Sequence, residues 1–488
     1  MAAWSGTTGK PDPSLPRRVS FPPTTIAHMH KPFLRFRFAA LAVLVTSAGA
    51  AAAQSTDRAA LVKQLDSLAG SGILEKRAAG LVAAVVRGND TLLLKGYGKA
   101  DVEWDVPMPA DAMFEIGSVT KQFTAVAILQ LRDQGKLSLD DDITKWLTDF
   151  DTRGNKLTLR RLLDHTSGIK GLTEMPEFGN LVNSRFPRDS AYALIKRYPF
   201  QFPTGEAQIY NNSAFWLLGL VVEKASGMTY EDYVEKKLFE PLGMKGSMYC
   251  NSAENVARRA HGYGVQNGQI RRAPTNVHTW PFAAGSLCST AGDMVIWLRA
   301  LHGGKVLSPA SYSELITPSK LNDGTPIRYA MGLSVGTDIR GLKYVGHGGS
   351  IAGFTAEAAW YPDAQAAIVV LMNSNGNLDP GAVAGELAAE LLPWERPVLK
   401  QFAGDPAPLI GKYQGPSRGR DMIVEVTQTP QGLAFSANGS PPRQLPWIEG
   451  LTFRQGNAFL TFRRTGNDGP ATELRFDAGG GYYILKRQ

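Results

Sequence analysis

The 488-residue sequence predicts an α+β protein, a mixed α/β layout, with a small all-β domain at the C-terminal end. Three observations predict it. Strand-like runs stand at both ends of a long first region; mainly helical sequence fills its middle, from Ser118 to about Leu301; and short strands separated by glycine turns follow a proline-rich stretch. Strands at both ends with helices between require one sheet assembled from chain-distant parts.

The elements follow in order. A helix-like segment runs from Gln54 to about Glu75. The stretch "GLVAAVVRGNDTLLLKGYGKA" gives two strand runs around a turn at Gly88, Asn89 and Asp90. In "EIGSVTKQFTAVAILQLRDQGKLSLDDDI", Phe123, Val126, Ala127, Leu129 and Leu131 form an apolar stripe that Gly117 and Ser118 open and Gly135 ends. Helical patterns continue in "TLRRLLDHTSGI", "NNSAFWLLGLVVEKASG", "TYEDYVEKKLFEPLG" and "TAGDMVIWLRALHGG". Strands return in "RYAMGLSV", "LKYVGHGG", "TAEAAWYP" and "AAIVVLMNS", before the helix "GAVAGELAAELLP". The expected organisation is an N-terminal segment over 1–53, a large mixed region over 54–393, a proline-rich linker over 394–408 and a β-rich domain over 409–488, for which stabilisation is the default role and covering a cleft or anchoring to a cell surface are the alternatives.

Composition narrows the function. Hydrophobic residues make up 43% and charged residues 20%, ordinary globular material. The net charge of +8 is concentrated at the start, where Lys10, Arg17, Arg18, Lys31, Arg35 and Arg37 face only Asp12; the remainder carries 46 basic and 43 acidic residues. Nucleic-acid binding therefore has no electrostatic support, and no basic stripe interleaved with aromatics occurs. Lys31, Arg35 and Arg37 precede the apolar run Phe38 to Val45, with small residues to Ala53, a signal-peptide layout with Met29 as its start. The expectation is export to a periplasmic or extracellular location, with no stable membrane span beyond that signal. Cys250 and Cys288 are expected as two buried free thiols, one disulfide being the alternative.

The chemistry starts from Ser118 and Lys121. A helix N-terminus is electropositive and prefers acids, so an ammonium there is misplaced. Three residues apart, the two side chains share a face. The bland interpretation is a serine cap followed by a solvated lysine. The functional one needs company: a serine hydroxyl is a poor nucleophile until a base takes its proton, and lysine serves only if burial or positive potential pulls its pKa down from about 10.4. "PTGEAQIYNNSAFWLLG" sets Tyr210 and Asn212 in a polar turn before an apolar helix. "KYVGHGGSIAGF" sets His347, Gly348, Gly349 and Ser350 at a strand end, where glycines let a substrate lie against backbone. Tyr210 alone would pass for a half-buried core tyrosine, His165 for a structural loop residue, and Trp280 and Phe282 for packing. His261, His278 and His302 lack metal spacing, and no cofactor is implied.

In that order, S-x-x-K, Y-x-N and H-x-G resemble the serine β-lactamase and penicillin-binding-protein superfamily, and within it the branch of class C β-lactamases, D-alanyl-D-alanine peptidases and related esterases, the S12-like peptidases. "LRRLLDHTSGI", "GSLCSTAGDMVIWL" and "GKLSLDDDITKWL" share the likeness, which covers about residues 60 to 393. The resemblance implies a β-lactamase/transpeptidase-like fold, an antiparallel sheet beside a helical lobe. It implies Ser118 as the acylated nucleophile, Lys121 as its activator and Tyr210 as proton shuttle, with either of the last two as base. It implies Asn212 as substrate holder and the amides of Ser118 and Ser350 as oxyanion hole. His347 stands where β-lactamases of the family carry lysine; a neutral imidazole shifts the expected substrate from β-lactam toward D-amino-acid peptide or ester. Two alternatives remain. One is a penicillin- or cell-wall-peptide-binding module with little turnover. The other takes "GLSVG" as the elbow of an α/β-hydrolase with Ser334 as nucleophile; the following "TDIRGLKYVGHGG" has no helical stripe, and no histidine follows His347 to complete a triad.

Overall fold

A computed structural model describes residues 57–488, apart from 74, 182, 183, 185, 252, 396–399, 467 and 468. The signal segment expected over 1–53 lies outside the described residues. Strands β1 (Gly80–Arg87), β2 (Asp90–Asp101), β3 (Val106–Pro107), β5 (Ser334–Thr337), β6 (Lys343–Ile351), β7 (Phe354–Tyr361) and β8 (Ala366–Met372) form a seven-stranded sheet in the order β5-β6-β7-β8-β1-β2-β3. Every pairing in it is antiparallel. The N-terminal hairpin thus lies against the last strand of the region, as the split strand pattern requires.

Period-two geometry explains why β1 and β8 are almost wholly apolar. Leu81, Ala83, Val85, Ile368, Val370 and Met372 point to one face, where Leu65 of the opening helix (57–73) and Val383, Ala384 and Leu387 of the helix Pro380–Ala389 cover them. Val82, Ala84, Val86, Ala367, Val369 and Leu371 point to the other, against the helical lobe. Helix α1 (Thr120–Asp133) lies in that lobe beside α2 (Asn212–Ser226), with Phe123 stacked on Trp297 at 4.0 Å.

From Gly411 to Arg487 the chain forms a second, curled antiparallel sheet around Tyr413, Val424, Leu433, Phe453, Phe462 and Leu474. Its strands include β9 (Gly411–Pro416), β10 (Asp421–Thr429) and β11 (Gly481–Arg487). This sheet also takes in β4 (Gln208–Ile209), which pairs with β11 through Gly481↔Ile209 and Tyr482↔Gln208. Phe202, Ala207 and Ile209 complete its core. Arg328 donates to Asp477 across the contact at 2.7 Å.

Three expectations change. Cys250 and Cys288 are joined in a disulfide: strand Met248–Tyr249 pairs with Leu287–Thr290, so the ladder sets their Cα atoms 5.2 Å apart. "RYAMGLSV" becomes regular strand only from Ser334, because Gly332 turns at φ +68° where the chain passes 2.7 Å from the Lys121 carbonyl, measured from the position a Cβ would take. Ser334 therefore opens an edge strand that leads into another strand, and the α/β-hydrolase elbow is not formed.

Candidate active site

The turn that carries Ser118 is built from both sides. Strand Met113–Glu115 pairs with Leu287–Thr290, and the Ile116 amide donates to the Leu287 carbonyl at 3.0 Å, which delivers the chain to Gly117 at φ +50°. A short 3₁₀ turn, Gly117–Val119, then leads into α1. Neither helix start has a side-chain cap, so the bland role for Ser118 is excluded: its hydroxyl faces Lys121 instead. Ser118 is partly exposed between buried neighbours.

Lys121 has no solvent exposure. Its Nζ lies 3.1 Å from Ser118 Oγ, 2.9 Å from Asn212 Oδ1 and 2.7 Å from the Ala284 carbonyl. Burial holds the amine well below the usual lysine value; the Arg418 charge lowers it further and Glu174 offsets part of that. With all three protons Nζ donates to Ser118, Asn212 and Ala284; once one is lost, two remain for Ala284 and Asn212 and the lone pair is left for the Ser118 hydroxyl proton.

Tyr210 is pinned on both sides. Before it, Gln208 and Ile209 are held in the second sheet; after it, Asn211 caps α2, its Oδ1 accepting from the Ala214 amide at 3.0 Å. The ring centre lies 4.8 Å from Lys121 Nζ, and burial pushes the phenol up, so it stays protonated. Its oxygen is buried without a hydrogen bond of normal geometry, although Ser118 is near enough to favour the ionised form. Asn212 accepts from Lys121 and donates through Nδ2 to Thr173 Oγ1 at 3.2 Å.

Strand β6 closes the site. A Cβ on Gly349 would lie 2.0 Å from the Ile116 carbonyl and 3.3 Å from the Ser118 nitrogen; one on Gly117 would lie 2.9 Å from the Ser350 nitrogen. A side chain at either position would hold the two backbones apart, so both glycines are needed for β6 to approach the Ser118 turn. Ser350 is exposed there.

His347 differs from a substrate-facing cation. It is buried and held down to about 3 by that burial, hence neutral near pH 7. Its Nδ1 donates to the Gly348 carbonyl at 2.5 Å, so Nε2 accepts from the Tyr329 hydroxyl at 3.0 Å. Tyr329 then accepts from His165 Nε2 at 3.1 Å, and His165 Nδ1 accepts from the Asn211 amide at 3.1 Å. Every group in this chain is used once, and it ties β6 to the residue after Tyr210. Sequence reasoning left His165 as a loop residue and missed Tyr329, Ala284, Thr173, Glu174 and Arg418. Trp280 packs edge-on to Phe178, and Phe282 is fully buried. Elsewhere Asp101, Glu103 and His261 bring ligand atoms within 4.8 Å, with Glu103 already engaged by Tyr263 and Arg272.

A hydroxyl bonded to a buried amine, beside a buried phenol and a glycine-lined strand, is the arrangement of a serine hydrolase. Residues 58–392 match the beta-lactamase family, and the chain belongs to it. It is 26% identical over 349 residues to penicillin-binding protein 4* of Bacillus subtilis, covering 67% of this chain and 77% of that one. It is 27% identical over 401 residues to a D-aminopeptidase of Cereibacter sphaeroides, covering 80% and 75%. Among solved structures, a D-stereospecific amidohydrolase from Streptomyces sp. superposes with a TM-score of 0.57 at 26% identity, over 68% of this chain and 98% of that one.

Proposed function

We propose that the protein hydrolyses amide or ester bonds of D-amino-acid-type substrates through an acyl-enzyme on Ser118, after export. The observation that carries this is the fully buried Lys121 amine 3.1 Å from the Ser118 hydroxyl. In acylation Lys121 Nζ takes the Ser118 proton as Oγ attacks the carbonyl carbon. The Ser118 and Ser350 amides receive the developing oxyanion, a contribution of about 3–4 kcal/mol per donor. Tyr210, protonated at rest, passes its proton to the departing nitrogen or oxygen and regains one from Lys121. Deacylation runs the same path in reverse, with water as nucleophile.

Neutral His347 leaves β6 without the cation that would pair with the carboxylate of a β-lactam. The D-aminopeptidase and D-stereospecific amidohydrolase relatives support the D-series. For export, the support is the Cys250–Cys288 disulfide together with the signal-like segment, since disulfides persist in oxidising compartments. Among the described residues no helix is long and apolar enough to cross a membrane.

Intact-mass spectrometry after incubation with a penicillin and an activated D-amino-acid ester tests the reading. Adducts are expected that vanish in Ser118→Ala, and unchanged labelling there rejects the assignment. A burst followed by steady turnover of the ester separates a hydrolase from a binding module, which gives no product.

A further inference from the structure

The second sheet reaches the reacting groups by two routes. Besides holding Gln208 and Ile209, it carries Arg418 on the turn between β9 and β10. The guanidinium lies 5.2 Å from the centre of the Tyr210 ring. Its Nε donates to Glu174 Oε1 at 2.7 Å and its Nη2 to Thr173 Oγ1 at 3.3 Å. Thr173 donates to Glu174 at 2.6 Å and accepts from Asn212 Nδ2, and Asn212 in turn accepts from Lys121. Four side chains therefore link the tip of the second sheet to the amine.

We propose that Arg418 is a positioning residue of the hydrolase. The turn of the second sheet brings a cation against Tyr210, and with Glu174 as counter-charge it orients Asn212 and sets the charge balance around Lys121. This rests on the assignment of Ser118 and Lys121 made above. The Arg418 side chain is 45% exposed and that of Glu174 9% exposed, so their ion pair adds little to stability; the consequence lies in the potential at the site. The charged or titratable groups facing Lys121 are Tyr210, His165 and His347 from the scaffold, Arg418 from the second sheet and Glu174 from the 3₁₀ turn Leu172–Glu174. Both histidines are neutral near pH 7, which leaves Arg418 and Glu174 as opposed levers. Arg418 disfavours the ammonium and favours developing phenolate; Glu174 does the reverse on both counts.

Opposed levers give opposed signs. The acid limb of the pH–rate profile for Ser118 acylation is expected to move up by about 0.5–1 unit in Arg418→Gln and down by a similar amount in Glu174→Gln. The double variant should return close to wild type, and Arg418→Lys should lie nearest to it. The same midpoints are to be read independently of turnover from the pH dependence of the Lys121 resonance in protein labelled with [ε-13C]lysine, assigned with Lys121→Ala. Coincident midpoints in all variants, or shifts of the same sign in both single variants, overturn the proposal even if activity falls. Absence of Ser118 labelling in the wild type would instead reject the assignment of the nucleophile, while the lysine titration would still decide the role of Arg418.

Discussion

The two sheets are built on different terms. The seven-stranded sheet is covered on both faces, so its central strands are apolar without alternation, and it carries the family motif His347, Gly349 and Ser350 on a strand beside its edge. The second sheet closes over its own apolar face, carries no motif, and still supplies a two-residue splice before Tyr210 and a cation beside it. The difference teaches that motif content and contribution to a site are separate properties. A motif marks positions where residue identity at fixed spacing is restricted. Scaffold and field come from whatever the fold packs alongside.

The sharpest way to break the comparison is to remove the groups of the first region to which the proposed chemistry is given. Lys121→Met should lower the acylation rate by about 10³-fold, and Tyr210→Phe by about 10²–10³-fold, with thermal unfolding little changed for Tyr210→Phe, whose hydroxyl closes no normal hydrogen bond. A rapid-quench measurement of adduct formation checks both. Near-wild-type rates in Lys121→Met would remove the base from the scheme.

Two matched glycines sharpen it further. Gly349→Ala would force a methyl to within 2.0 Å of the Ile116 carbonyl, and Gly415→Ala to within 2.3 Å of the Ile484 carbonyl. Each should cost about 1–3 kcal/mol of stability by overpacking. Only Gly349→Ala should also lower acylation by about 10²–10³-fold, because it spreads the two oxyanion amides. Equal activity losses in the pair would mean that the second sheet is as intimate with the chemistry as the first.

The smallest expected effect lies where the regions face each other. A cavity of about 490 Å³ is lined by His347, Glu357 and Asp379 on one side and Gly456 and Asn457 of the second sheet on the other. Burial, helped by Asp379, pushes Glu357 up to about 8. Because its pKa is higher folded than unfolded, the folded state holds the extra proton, and stability falls as pH rises from about 4.5 to 8. Glu357→Gln should flatten that fall, a gain of about 1–3 kcal/mol at pH 8 and almost none at pH 4.5. Melting curves at the two pH values decide it.

Much was legible beforehand, for physical reasons. Apolar stripes with a period of 3.6 residues and near-continuous strand runs follow from burial, so α1, α2 and the strands around "AAIVVLMNS" could be read from residue type alone. The three motifs were legible because catalysis restricts residue identity at fixed spacing. The cysteine pairing was not, since the ladder that joins Met248–Tyr249 to Leu287–Thr290 spans 38 residues of sequence. Nor was the start of β5, where Gly332 yields to the close passage of the Lys121 backbone.

The sequence by itself determined the candidate residues, Ser118, Lys121 and Tyr210, and the strand that carries His347 to Ser350, because residue type at fixed spacing and secondary structure are local properties of the chain. Only the tertiary structure decided that Lys121 is fully buried, that His347 is a neutral strut bonded through Tyr329 to His165, and that Arg418 and Glu174 lie beside Tyr210 and Asn212. Burial and electrostatic potential are sums over neighbours distant in the chain, and no local pattern encodes such a sum.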